Sequence, residues 1–252
     1  MSTPTTVRLA GLHARYQVTE TLRIPIAVIG TTLFPSLTIL FFVVPQPFAQ
    51  NPVAATAATA QLAVFAVMSV CLFTYGVGVA EDRALPWDGY LRTLPAGPVP
   101  RLAGRLLNGL AFAILGLVPL VLIAWLLTAA TLPFGRLALT AAALLAAGVP
   151  LFALGISIGY ALSVKAALAV AQSLLLPLAF GGGLFVPPET FPAWLDAIST
   201  WLPTRAGRDL VVTATTGANL PGTALLALGV WTLLTGSLAI WAYRRDEGRR
   251  FR

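Results

Sequence analysis

Residues Glu81–Arg105 read EDRALPWDGYLRTLPAGPVPRLAGR and hold seven charged side chains: Glu81, Asp82, Arg83, Asp88, Arg92, Arg101 and Arg105. The apolar runs on either side, Ala54–Ala80 and Leu106–Thr128, hold none. A polar island between two such runs reads as a loop between two membrane crossings. Within it Trp87, Tyr90, Leu91 and Leu94 recur at i, i+3, i+4 and i+7, which is one face of a helix. Asp88 and Arg92 stand on the opposite face in the acid-before-base i,i+4 order. Pro86 suits the first turn of that helix, Pro95 ends it, and Pro98 and Pro100 prevent its resumption. The stretch therefore predicts a short amphipathic helix held between two spans, where a soluble partner can push on it.

Working outward, the chain is 252 residues long, 58% hydrophobic and only 10% charged. A soluble domain carries roughly 25% charged residues. Six runs reach the ~20 apolar residues that a bilayer core requires: Ile24–Val44, Ala54–Ala80, Leu106–Thr128, Leu137–Ser163, Ala166–Val186 and Gly222–Tyr243. Leu137–Val186 cannot be one helix, because at 1.5 Å per residue it would extend ~75 Å, more than twice the membrane. A tight hairpin with Lys165 at its tip divides it. The expected fold is all-α and polytopic, one transmembrane domain over residues 1–252 with six membrane helices.

The excess of Lys and Arg, net +7, is unevenly spread. Arg8, Arg15 and Arg23 precede the first run, and Arg83, Arg92, Arg101 and Arg105 fill the 81–105 loop. Lys165 and the tail residues Arg244, Arg245, Arg249, Arg250 and Arg252 fall on the same side of a six-span chain. Only Arg136, Arg205 and Arg208 fall on the other. This is the positive-inside bias, so both termini and the 81–105 loop are expected in the cytoplasm. The charge is topology, and no nucleic-acid partner is expected. One lysine against fifteen arginines, with much Ala, Gly and Pro, suggests a bacterial genome rich in G and C, hence a multi-pass protein of the bacterial inner membrane. Ahead of the first run, Leu9, Leu12 and Tyr16 at i, i+3 and i+7 predict an interfacial helix, with His13 facing solvent or headgroups.

A second informative stretch is Gly181–Thr204. Gly181-Gly182-Gly183 breaks the fifth run at its outer end, and Pro187, Pro188, Pro192 and Pro203 punctuate the segment beyond the break. Phe191, Trp194, Leu195, Ile198 and Leu202 share one helical face, with Asp196 and Ser199 opposite. Two tryptophans on such a segment suit a membrane–water interface. The Gly/Pro break predicts that the chain turns partly back into the bilayer, which is tolerable where backbone is buried in protein or lines a wet cavity. The alternative is an ordinary outer loop with an interfacial helix.

Several chemistries are missing. No Asp, Glu, Lys, Arg or His lies inside the six runs, whereas ion-coupled carriers use intramembrane charges. Gln61, Asn108 and Gln172 are the amides within them. The only histidine, His13, lies outside the runs, which leaves an intramembrane serine protease without its base. No HExxH, CxxC or GxxxxGK[ST] occurs, so the chain has no P-loop with which to hydrolyse ATP. Cys71, the single cysteine, reads as a small packing residue.

Two motifs carry a resemblance. The first is Glu81-Asp82-Arg83, the leucine-bearing helix ending at Pro95, and the basic run Arg101–Arg105. The second is Gly182-Gly183-Leu184-Phe185-Val186-Pro187, then Phe191-Pro192-Ala193-Trp194-Leu195, Ile198 and Leu202-Pro203. In order, spacing and six-span frame the chain resembles permease subunits of type-2 ABC exporters. These are the small bacterial kind that includes antibiotic-resistance (drug) and lipid or polysaccharide exporters. It departs from them where Leu85-Pro86-Trp87 stands in place of the Gly-Thr that often follows the acidic–Arg opening.

The resemblance implies a non-enzymatic membrane subunit that forms a translocation path and receives force from a separate ATP-binding cassette subunit. That subunit would bind ATP and Mg, with no cofactor in this chain. Its coupling residues would be Glu81, Arg83, Trp87, Asp88, Tyr90, Leu91, Arg92, Leu94 and Lys165, with Trp87–Leu94 as the coupling helix. An outer gate would comprise Gly181, Gly182, Gly183, Pro187, Glu189, Phe191 and Trp194. The other expected partners are the lipid bilayer and a second permease, either a copy or a paralogue. Two further readings stay open: a membrane module for lipid release or envelope assembly driven by the same ATPase, and a secondary carrier.

Overall fold

The computed structural model describes residues 3–23, 25–86 and 99–250. Among the described residues the chain is helical throughout, with no strand. Helix α1 is Thr3–Leu22 and α2 is Pro25–Phe42; a 3-10 turn at Pro47–Gln50 comes next. Helix α3, Pro52–Val70, runs through a π-helical stretch, Cys71–Val77, into α4, Gly78–Ala84. Then come α5 (Val99–Leu127), a 3-10 turn at Phe134–Arg136, α6 (Leu137–Ala161) and α7 (Val164–Gly181). A 3-10 turn at Pro188–Thr190 leads to α8 (Ala193–Ser199), α9 (Pro203–Thr216) and the long α10 (Gly222–Arg250).

Among the described residues, five stretches are long and apolar enough to cross a bilayer: Pro52–Ala84, Ala103–Leu127, Phe134–Ala161, Val164–Gly181 and Gly222–Glu247. The first expected run forms α2, an apolar helix of 18 residues. The chain is thus an all-α polytopic membrane protein, with its sixth expected crossing resting on α2. The hairpin expected inside Leu137–Val186 is present, turning at Leu162 and Ser163. Helix α7 closes at Gly181, so Leu184–Val186 belong to the loop after it rather than to the fifth span.

Helix α3 starts where its sequence says it should. The Asn51 side chain accepts hydrogen bonds from the backbone N–H groups of Val53 (3.0 Å) and Ala54 (3.1 Å). Pro52 occupies the first turn, where a missing N–H costs nothing. Helix α3 and the π stretch form the centre of the bundle, with Phe65, Met68 and Leu72 fully buried. The π stretch packs on α6 at two glycines: a Cβ on Gly159 would meet the carbonyl oxygens of Tyr75 and Gly76 at 2.8 Å, and one on Gly155 would run into the carbonyl of Cys71. Backbones approach this closely only across small residues. Such π turns interrupt α-helices frequently at functional sites. Around this centre, α5 lies with α1 and α2, while α10 and α9 lie against α6.

Helix α1 is oriented differently from the sequence expectation for His13. Ala10, His13 and Ala14 face α5, where a Cβ on Gly104 would come within 3.2 Å of the Ala10 carbonyl. The Cβ of His13 sits against the same glycine. Leu12 and Tyr16 stay exposed, so the expected apolar line remains free to lie on lipid. The small residues, not the large apolar ones, chose the protein-facing side.

Candidate functional site

Two clusters of charge stand at opposite ends of the bundle, one around the half-buried Arg83 and the other around the buried Arg208. The first begins at the polar end of the second span. Helix α6 ends at Ala161, where its last carbonyls lack intrahelical donors. Arg83, on α4, supplies them: its Nη1 donates to Gly159 O (2.6 Å) and Leu162 O (3.2 Å). Its Nη2 pairs with Asp246 of α10, a carboxylate only 5% exposed. A cation at a helix C-terminus also meets the negative end of the helix dipole. The guanidinium lies over Tyr160 (5.7 Å), which packs edge-on against Tyr243 (5.1 Å), and the Tyr243 hydroxyl donates to Glu247 (2.6 Å). Next to it, Asp82 pairs with Arg105 of α5, and Tyr75 donates to Leu106 O (3.0 Å). The two ends of the 81–105 loop are therefore fastened to each other, and through Arg83 to α6 and α10.

At the other end, α7 stops at Gly181. The chain then turns on Gly183, whose φ of +71° is left-handed and suits only a residue without a Cβ. A Cβ on Gly182 would strike the Thr204 side chain, whose hydroxyl donates to Leu178 O (2.7 Å). That turn drives Leu184 into full burial. It also sets the Phe185 ring against Phe65 (4.7 Å), Phe180 (5.0 Å) and Phe42 (5.1 Å) from three helices. Helix α8 comes next with Trp194 and Ile198 exposed and Ser199 turned inward, donating to Gly181 O (2.5 Å).

Helix α9 then re-enters the bundle. It begins opposite Leu178, inside the end of α7, and packs Gly207 against Ala147 of α6 and Val64 of α3. It ends beside Arg136, which donates to Ala214 O (3.4 Å) just outside α6. It carries three charges inward. Asp209 accepts from Arg205 Nε (2.9 Å) on one oxygen and from Arg208 Nη1 (2.8 Å) on the other. Arg205 Nη1 also reaches Asp196 of α8 (3.2 Å), and Arg208 Nε donates to Gln61 of α3 (3.3 Å). Arg208 and Asp209 are each 8% exposed. Pairing of this kind is what makes buried charge tolerable.

Of the residues expected to couple to a partner, Arg83 is half-buried in the first cluster, whereas Glu81 and Lys165 are exposed at that end. Trp87, Asp88, Tyr90, Leu91, Arg92 and Leu94 lie outside the described residues. Of the outer set, Gly181, Gly182, Gly183 and Pro187 form the turn, Glu189 is exposed on the 3-10 turn, Phe191 is half-buried and Trp194 is exposed. The sequence reading missed Arg205, Arg208, Asp209 and Asp246. The six runs carry no Asp, Glu, Lys, Arg or His, but α9 brings charges into the bundle from a seventh segment. A signal existed: Pro203 in the first turn and Gly217 (φ +81°) just past the end bracket a helix.

The chain matches the ABC-2 type transporter family over residues 12–215, more than half its length and including both clusters except Asp246 and its neighbours on α10. It belongs to that family. The protein is therefore the membrane subunit of an ABC transporter, a permease that crosses the bilayer several times. It is also similar to a chain named as a putative transport permease, YvfS, of Bacillus subtilis (strain 168). The two are 25% identical over 142 residues, covering 56% of this permease and 58% of YvfS.

Proposed function

We propose that this permease is the membrane half of an ATP-driven exporter of the bacterial inner membrane, with both termini and the 81–105 loop in the cytoplasm. A separate ATP-binding cassette subunit, holding ATP and Mg, would press on the Trp87–Leu94 segment. Two permease chains, identical or paralogous, would enclose the path. The observation that carries this reading is the Arg83 joint. One side chain ties the end of α4 to the end of α6 and to α10, while Asp82–Arg105 ties α4 to α5. Displacement of the loop would thus move four helix ends together rather than bending one. Helix α6 would deliver that movement to α9, which packs on it at Ala147, and so to the outer turn at Gly181–Gly183.

Leu91→Asp tests the docking step. The variant should insert normally but lose its ATPase on copurification in mild detergent, and lose export with it. Unchanged copurification and unchanged export would overturn the proposal.

A further inference from the structure

A cleft of about 550 Å³ opens beside α9 at the outer end of the bundle. Its walls are apolar, with Phe42, Phe48, Leu62 and Phe185 among them, and its polar residues include Gln61, Glu189 and Arg208. That volume lies within the ~300–1,000 Å³ usual for small-molecule sites, which pair apolar walls with a few placed polar groups.

The polar groups are not fully used. Arg208 spends Nε on Gln61 and Nη1 on Asp209, but Nη2 makes no hydrogen bond among the described residues. Its charged neighbour is Glu189 Oε1 at 3.6 Å, beyond hydrogen-bond length. Gln61 is 5% exposed; its oxygen accepts from Arg208, and its amide nitrogen donates to nothing among the described residues. Two donors on buried residues, Arg208 Nη2 and Gln61 Nε2, are thus left over beside an apolar cleft. Glu189, the carboxylate that faces Nη2, has a side chain 70% exposed. Asp209 already holds Arg205 and Arg208 and leaves Nη2 unserved.

We infer that this cleft binds an amphiphile with an apolar chain and an anionic head. The chain would lie among the phenylalanines, and the head would take Arg208 Nη2 and Gln61 Nε2 in exchange for Glu189. A cationic head would be repelled by Arg208 and would find no acceptor in the leftover Arg208 Nη2 and Gln61 Nε2, and a neutral one would leave Arg208 to Glu189. As a statement about cargo this rests on the exporter reading, but as a statement about binding it does not, so it is tested on the permease alone.

The probe is a diazirine-bearing palmitic acid, compared with its methyl ester on the purified full chain in non-ionic detergent, with crosslinks mapped by mass spectrometry. The acid should label residues 42–62 and 184–189 about tenfold more than the ester, the factor expected of one charge-assisted hydrogen bond. Arg208→Gln should reduce acid labelling to the ester's level. Glu189→Gln, an exposed substitution that does not threaten folding, should raise acid labelling several-fold and leave the ester unchanged. Equal labelling by acid and ester, crosslinks outside these segments, or no response to Glu189→Gln would overturn the site. Loss of export with labelling intact, or the reverse, separates this claim from the exporter reading.

Discussion

The arginines at the two ends of the bundle differ in what they hold. Arg83 holds backbone: two carbonyls at the end of α6 that have no other intrahelical donor, plus Asp246. Backbone acceptors cannot rotate away, so this end behaves as a joint. Arg208 and Arg205 hold side chains only, namely Asp209, Asp196, Gln61 and the exposed Glu189. Side chains can exchange partners. A fixed connection at one end and an exchangeable one at the other suit a device that receives displacement at the first and opens at the second.

The largest effect is expected from breaking the joint. Arg83→Leu removes the Arg83–Asp246 ion pair and the donor to the Gly159 and Leu162 carbonyls at the end of α6. Taking a charged partner from a buried carboxylate is destabilising, so the variant should melt well below wild type in detergent. Arg83→Lys should recover only part of this, since a point charge cannot serve two carbonyls and a carboxylate as the planar fork does. A wild-type melting temperature in Arg83→Leu would remove the distinction between the ends.

A smaller loss is expected from the exchangeable end. Asp209→Asn keeps an acceptor for one arginine and deprives the pair of its shared charge, costing about 1.5–3 kcal/mol. It should impair export while ATPase copurification stays normal, because the 81–105 loop is untouched. Smaller again is Gly183→Ala, which forces a Cβ into a left-handed turn at about 1–2 kcal/mol and against the Pro188 ring. It should shift Phe185 and slow export more than it lowers stability. Trp194→Ala, on the exposed face of α8, should change stability by less than about 0.5 kcal/mol.

The same contrast explains how much of the molecule could be read from sequence. The long spans, the α6–α7 hairpin and the Gly/Pro turn are written in composition and periodicity, and each appears among the described residues. Arg83 was legible too, as a charge at the end of an apolar run. Helix α9 was not read, because Pro203–Thr216 is polar on average and buries itself with Ala206, Gly207, Val211 and Ala214 and with mutually paired charges. Hydropathy registers such a segment as loop. The orientation of α1 escaped for a related reason: His13 sits against Gly104, and close approach between small residues leaves no apolar trace.

The central claim is that displacement at the 81–105 loop reaches the outer turn through the Arg83 joint. It is tested most directly by distance measurement between spin labels at Phe134→Cys and Trp194→Cys, both exposed. Cys71→Ser provides a background free of other cysteines. In the permease–ATPase complex the label distance should change between nucleotide-free and ATP-bound states. With Arg83→Leu added, the change should vanish while ATP hydrolysis persists. The same ATP-driven change in the Arg83→Leu complex, or none in the complex that retains Arg83, would contradict the account.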